Sequence, residues 1–95
     1  MDKKSDYEHA DLLICKDVLQ HLSYSNINNI VSQLNKYNYV IIINDIVRDI
    51  DNVDINDGGY RSLDIQKSPF NINHIYVEHH LWQSEPTKTL YVIKL

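Results

Sequence analysis

The chain has a single cysteine, Cys15, so no intrachain disulfide can form and nothing in its cysteine usage implies secretion. Long apolar runs are also missing. The longest, Tyr39-Val40-Ile41-Ile42-Ile43, is far too short to span a bilayer. The amino-terminal Met1-Asp2-Lys3-Lys4-Ser5-Asp6 has no apolar stretch behind its lysines and does not read as a signal peptide. Positive charge is scarce: the formal net charge is −4. That argues against a nucleic-acid module driven by phosphate contacts, though not against an enzyme acting on nucleic acid. These absences lead to the expectation of a cytoplasmic protein with no membrane partner.

What is present is globular. Hydrophobic residues make up 43% and charged residues 23% of 95 positions, enough for one domain or part of one but not for a disordered chain. Ile, Asn, Asp, Lys and Tyr are abundant throughout, so an isolated Asn or Ile carries little functional weight.

Residues 1–9 are polar and read as an arm. Ala10-Asp11-Leu12-Leu13-Ile14-Cys15 reads as a strand buried on both faces, the type found in parallel sheets. Ser23 to Ser25 offer helix N-caps. Ile27, Ile30, Val31 and Leu34 follow as one apolar helical stripe, which Asn38 would close as a left-handed C-cap. Residues 39–43 form a second buried strand. Strand, helix and strand within so few residues predict a βαβ crossover and two parallel strands. Residues 45–73 lose all clear periodicity, a length that in a compact domain marks a functional or disordered loop. Tyr60, Leu63, Ile65 and Phe70 lie too close together there for a disordered linker. A partly ordered lid is expected, with a short helix near residues 46–50. Residues 74–82 and 89–95, joined by 83–88, predict a terminal antiparallel hairpin.

Two motifs lie on this framework. Asp11-Leu12-Leu13-Ile14-Cys15-Lys16-Asp17-Val18-Leu19-Gln20-His21-Leu22 resembles a "DLVLCRDVLQHL" type of run. Asp57-Gly58-Gly59-Tyr60-Arg61-Ser62-Leu63-Asp64-Ile65, followed by Ser68-Pro69-Phe70-Asn71, resembles a "GGWRPLNL…APFN" signature, with Ser62 where that signature has proline. Both resemble the carboxyl-terminal half of class I S-adenosylmethionine-dependent methyltransferases, and the second resembles an uncharacterised methyltransferase-like group. The resemblance covers residues 10–95. It implies an α/β fold: part of a Rossmann-like sheet with two parallel strands, a crossover helix, a long lid and a hairpin whose final strand inserts antiparallel. It also implies that the half holding most of the cofactor is absent. The chain has only Gly58 and Gly59, and neither follows a strand into a helix, so no glycine-rich cofactor turn is present. The expected function is that of a methyltransferase-like fragment, inactive alone. The enzymes it resembles transfer a methyl group from S-adenosylmethionine to an oxygen or nitrogen acceptor. The alternative is a non-catalytic remnant or self-associating module. Partners would then be a second copy or a complementing amino-terminal half, pairing through the exposed edge of residues 10–15.

Within the resemblance, Asp17 lies just past the first strand, facing the methionine end of the cofactor or the substrate. The alternative is a turn cap. His21, four residues on, is a candidate general base toward a substrate hydroxyl or amine, or a structural histidine bonded to backbone. Tyr60 and Arg61 offer an aromatic face and a fixed positive charge to a substrate, unless Arg61 pairs with Asp57 or Asp64. Asn44, ending the second strand, is a further substrate-binding candidate. The acidic residues from Asp45 to Asp57 lack the glycine and glutamate of a calcium loop and read as a solvated segment. His79 and His80 point to opposite strand faces and do not make a zinc site.

Overall fold

A computed structural model describes residues 10–82 and 84–95; the polar arm expected at residues 1–9 lies outside them. The fold is a small α/β domain built on one mixed sheet. Strand β1 (Ala10–Lys16) leads through a 3-10 turn (Leu19–His21) into helix α1 (Tyr24–Val31). A second 3-10 turn (Leu34–Lys36) enters β2 (Tyr37–Ile46). After a long connection come β3 (Ile75–His80) and β4 (Thr87–Lys94). The order across the sheet is β1-β2-β4-β3. β1 and β2 run parallel, from Ala10 opposite Tyr37 to Lys16 opposite Ile43. β4 lies antiparallel between β2 and β3.

The crossover helix forms as the apolar spacing predicts. Ile27 and Ile30 are buried, and Leu34 is buried in the turn that follows. Ser23 is the N-cap, its hydroxyl accepting from the Asn26 N–H. Asn38 does not end the helix. α1 stops at Val31, and Asn38 lies inside β2 with its amide donating to Asp11. A second 3-10 turn between helix and strand takes up the residues that the stripe had extended into helix.

Expected burial on both strand faces is corrected. Only one face is covered: Leu13 and Cys15 of β1, Val40 and Ile42 of β2, and Tyr91 and Ile93 of β4 meet α1 and the long connection in one core. On the other face Leu12 (45% exposed), Ile14 (58%) and Tyr39 (41%) stand open. Cys15, on the covered face, is a packing residue whose thiol burial pushes up.

The connection of residues 47–74 contains no helix at 46–50, where β2 ends at Ile46 and a turn follows. It is a packed layer rather than a loose lid. Leu63, Ile65 and Ile72 enter the core. The Leu63 N–H donates to the Asp45 carbonyl (2.9 Å) and the Ile72 N–H to the Ile65 carbonyl (2.9 Å). Phe70 packs edge-on against Tyr24, holding the layer down.

Two of its acids are not simply solvated. The Asp57 carboxylate accepts from the Ser23 N–H (2.7 Å) and the Asn26 amide (2.5 Å), and Asp54 accepts from the Tyr24 N–H (2.8 Å). They complete the cap of α1 from a distant segment, where free N–H groups favour negative charge. The Ser23 N–H and then the Asn26 amide hold the Asp57 carboxyl below the usual carboxylate range. Its stabilisation is therefore present above its unfolded-state value, about 3.9, and is lost as pH falls through the lower folded value. Asp57→Asn is expected to reduce stability at neutral pH, with the gap to the parent closing below about pH 4. Urea unfolding across a pH series tests this; a gap that does not change with pH would refute it.

Candidate functional site

The carboxyl ends of β1 and β2 meet the amino end of β4 at one sheet edge, where ligands gather in open α/β sheets. Asp17 turns the chain out of β1. Its φ of 55° is left-handed, a conformation that aspartate tolerates better than most residues, and its N–H continues the ladder to the Ile43 carbonyl (2.9 Å). The register sets Asp45 of β2 directly opposite Lys88 of β4. The Lys88 ammonium reaches both acids, in contact with Asp17 and 3.0 Å from Asp45 Oδ1. Its other neighbour is the Trp82 ring, 5.2 Å away.

Tyr60 comes in from the connection. Its hydroxyl donates to Asp45 Oδ2 (2.9 Å), and its ring lies 5.7 Å from that of His21. Gln20, almost wholly buried, ties the strand ends together: its side-chain Oε1 accepts from the Asp45 N–H (2.7 Å).

The electrostatics settle which of these groups hold their protons. Desolvation pulls the Lys88 ammonium down, but the hydrogen bonds and charges of Asp17 and Asp45 more than offset it, and its pKa is raised. Desolvation, then the Asp45 carboxylate, raises the Tyr60 phenol. At neutral pH Lys88 thus stays an ammonium and Tyr60 a phenol, and neither is available as a base.

His21 is different. Its Nδ1 lies 2.8 Å from the Gly59 carbonyl. A carbonyl only accepts, so Nδ1 carries the proton, and the neutral ring keeps its lone pair on Nε2. The contact that makes His21 structural also orients its other nitrogen as a proton acceptor. Gly58 makes this turn possible: its φ is 90°, and its N–H donates to the His21 carbonyl (2.8 Å).

Of the residues singled out in the sequence, Asp17, His21 and Tyr60 are brought together. Arg61 and Asn44 are not. Arg61 is 7% exposed. Its guanidinium donates to three backbone carbonyls, Val53 (2.9 Å), Leu19 (3.1 Å) and Leu22 (2.7 Å), and lies over the Tyr24 ring. It pairs with neither Asp57 nor Asp64; it joins the connection to the turn after β1. Asn44 faces the core beside Thr89, fully buried, and its side-chain amide has no partner among the described residues. β2 runs two residues past Asn44, and that carries it inside rather than to the edge.

Asp45, Lys88 and Gln20 escaped the sequence reading. Asp45 continues the alternation of Ile41 and Ile43, a signal that could have found it. Nothing local marks Lys88, whose place depends on the β2–β4 register. Among the described residues no group of three or more His, Cys, Asp or Glu could hold a metal ion, and no helix is long and apolar enough to cross a membrane. Comparison with family models, with curated proteins and with solved structures finds no match to this chain.

Proposed function

We propose that this chain is a methyltransferase-like fragment, the carboxyl-terminal half of a domain that transfers a methyl group from S-adenosylmethionine to an oxygen or nitrogen acceptor, and that it is inactive alone. One observation carries the reading. The last strand lies antiparallel between β2 and β3, next to two parallel strands joined by a crossover helix, with Asp17 at their carboxyl edge. This is the arrangement that the two sequence motifs imply.

The residues present do not by themselves fit the cofactor. No glycine-rich turn joins a strand to a helix, and Asp17 already pairs with Lys88. In a completed domain Asp17 would face the reacting edge, Tyr60 would wall it, and His21 Nε2 would accept a proton from the acceptor's hydroxyl or amine. The completing polypeptide would pair with β1 and cover the open face of Leu12, Ile14 and Tyr39. We place the protein in the cytoplasm, where a lone thiol stays reduced.

Calorimetric titration of the purified chain with S-adenosylmethionine is expected to give no heat. Micromolar binding would show a surviving site and overturn the claim of inactivity alone. Coexpression with an amino-terminal methyltransferase half that carries a glycine-rich strand–turn–helix is expected to restore binding. A stable complex of the two that binds no cofactor would overturn the transferase reading itself.

The second reading, a self-associating module without catalysis, is favoured by the same open face. Parallel sheets normally have both faces covered. Here the outer edge of β1 and the face beside it have no partner among the described residues.

A further inference from the structure

On the covered side of the sheet a cavity of about 280 Å³ opens between β3, β4, the end of β2 and residues 64–67. That size lies at the small end for ligand pockets. Its polar groups are unevenly spent. Glu78 and His80 project from alternate positions of β3, and His80 joins them to β4: Nε2 lies 3.2 Å from Glu78 Oε2, and Nδ1 lies 3.0 Å from the Thr89 hydroxyl. This relay fixes the Glu78 carboxylate and leaves its Oε1 without a partner among the described residues. The Arg48 side chain also lines the cavity, and its guanidinium has no partner among the described residues; only its backbone N–H is engaged, by Glu85. The Lys67 ammonium, on the third side, donates among the described residues only to the Ile50 carbonyl (3.1 Å).

Charges of both signs thus line one small cavity: Arg48 and Lys67 face Glu78, Asp49, Asp64 and Glu85, of which Asp64 accepts from the Tyr91 hydroxyl (3.3 Å) and Glu85 from the Arg48 N–H (3.2 Å). Arg48 enters where β2 leaves β4 beyond Thr87, and Glu78 enters opposite Tyr91. Four residues of β4 separate these ends, about 13 Å of strand, and the two long side chains shorten the gap. A lone anion would face Glu78, and a lone cation would face Arg48. A ligand carrying both charges satisfies both ends.

We propose that this cavity binds a small zwitterion, its carboxylate at Arg48 and Lys67 and its ammonium at Glu78. The inference does not rest on the methyl-transfer reading, because none of the residues at the Asp17 edge takes part. The probe is 6-aminohexanoate, whose charges lie about 8 Å apart when extended, with hexanoate and hexylamine as single-charge controls. In amide NMR titrations, saturable shifts are expected at Arg48, Lys67, His80 and Tyr91, with affinity at least about tenfold above either control. Arg48→Gln and Glu78→Gln, both at exposed positions, are each expected to weaken binding about tenfold while leaving the rest of the spectrum in place. No saturable shift up to about 20 mM would overturn the proposal. So would equal affinity for a single-charge control, or binding indifferent to both substitutions.

Discussion

Arg61→Ala is expected to lower the thermal midpoint by at least about 12 °C. The reason lies in what the side chain leaves behind. Its guanidinium serves the carbonyls of Leu19, Leu22 and Val53. Alanine offers them no donor and opens a gap that water reaches poorly, because Arg61 is itself buried. A hydrogen bond from a charged donor is worth about 1.5–3 kcal/mol, so losing the two buried ones, to Leu19 and Leu22, costs about 3 kcal/mol or more, even though the Leu19 carbonyl keeps the Leu22 N–H. A domain of this size has only about 5–15 kcal/mol to lose. Each kcal/mol moves the midpoint of such a domain by about 4–8 °C. Arg61→Lys is expected to recover little, since an ammonium has no planar fork with which to reach three divergent carbonyls and cover the Tyr24 ring. Melting curves of both variants decide the matter. A shift under about 4 °C for alanine would mean that the clamp is not what ties residues 47–74 to the turn after β1.

The chain is expected to self-associate, and Leu12→Lys with Ile14→Lys to abolish it. Among the described residues the outer edge of β1 has no neighbour, and such an edge presents a row of unpaired N–H and C=O groups, a template for another strand. The side chains beside it make the edge adhesive. Leu12, Ile14 and Tyr39 are all more than two-fifths exposed on one face, and Val77 of β3 is as open. Large contiguous apolar patches are rare on soluble monomers. The only charge within β1 on that face is Lys16, at its end, a weak guard for the middle of the strand. Two lysines at positions 12 and 14 place like charges directly against any apposed copy while leaving the covered face, with Leu13 and Cys15, untouched. Sedimentation equilibrium is expected to show a dimer or larger species for the parent and a monomer for the double variant. A parent that stays monomeric at about 100 µM, well above ordinary dimer affinities, would rule out the second copy as the partner of this edge.

These two expectations differ in how visible they were from sequence. The β1 edge was legible in part: an apolar strand opening a βαβ unit pairs with the next strand on one side, and among the described residues nothing pairs with it on the other. The clamp was not. Arg61 follows two glycines and precedes Ser62, a context that reads as an exposed turn, and its burial depends on carbonyls some forty residues earlier in the chain. The same division holds at the candidate site. Asp17 and Tyr60 were singled out because the two motifs carry them. Asp45 and Lys88 were missed because their meeting is a matter of register between strands far apart in the chain.

What the amino-acid order determined by itself was local. Alternation and β-branching placed four strands, the spacing of Ile27 and Ile30 placed the helix, and connection lengths made the first pair parallel and the last pair a hairpin. Periodicity reports which side of an element is apolar, because that is repeated every two or four residues. The tertiary structure alone decided which apolar side is covered, how Lys88 comes to bridge Asp17 and Asp45, and how Asp54 and Asp57 cap a helix some thirty residues before them. Such contacts bring single residues together once, across long stretches of chain, and leave no repeat in the sequence from which they could be read.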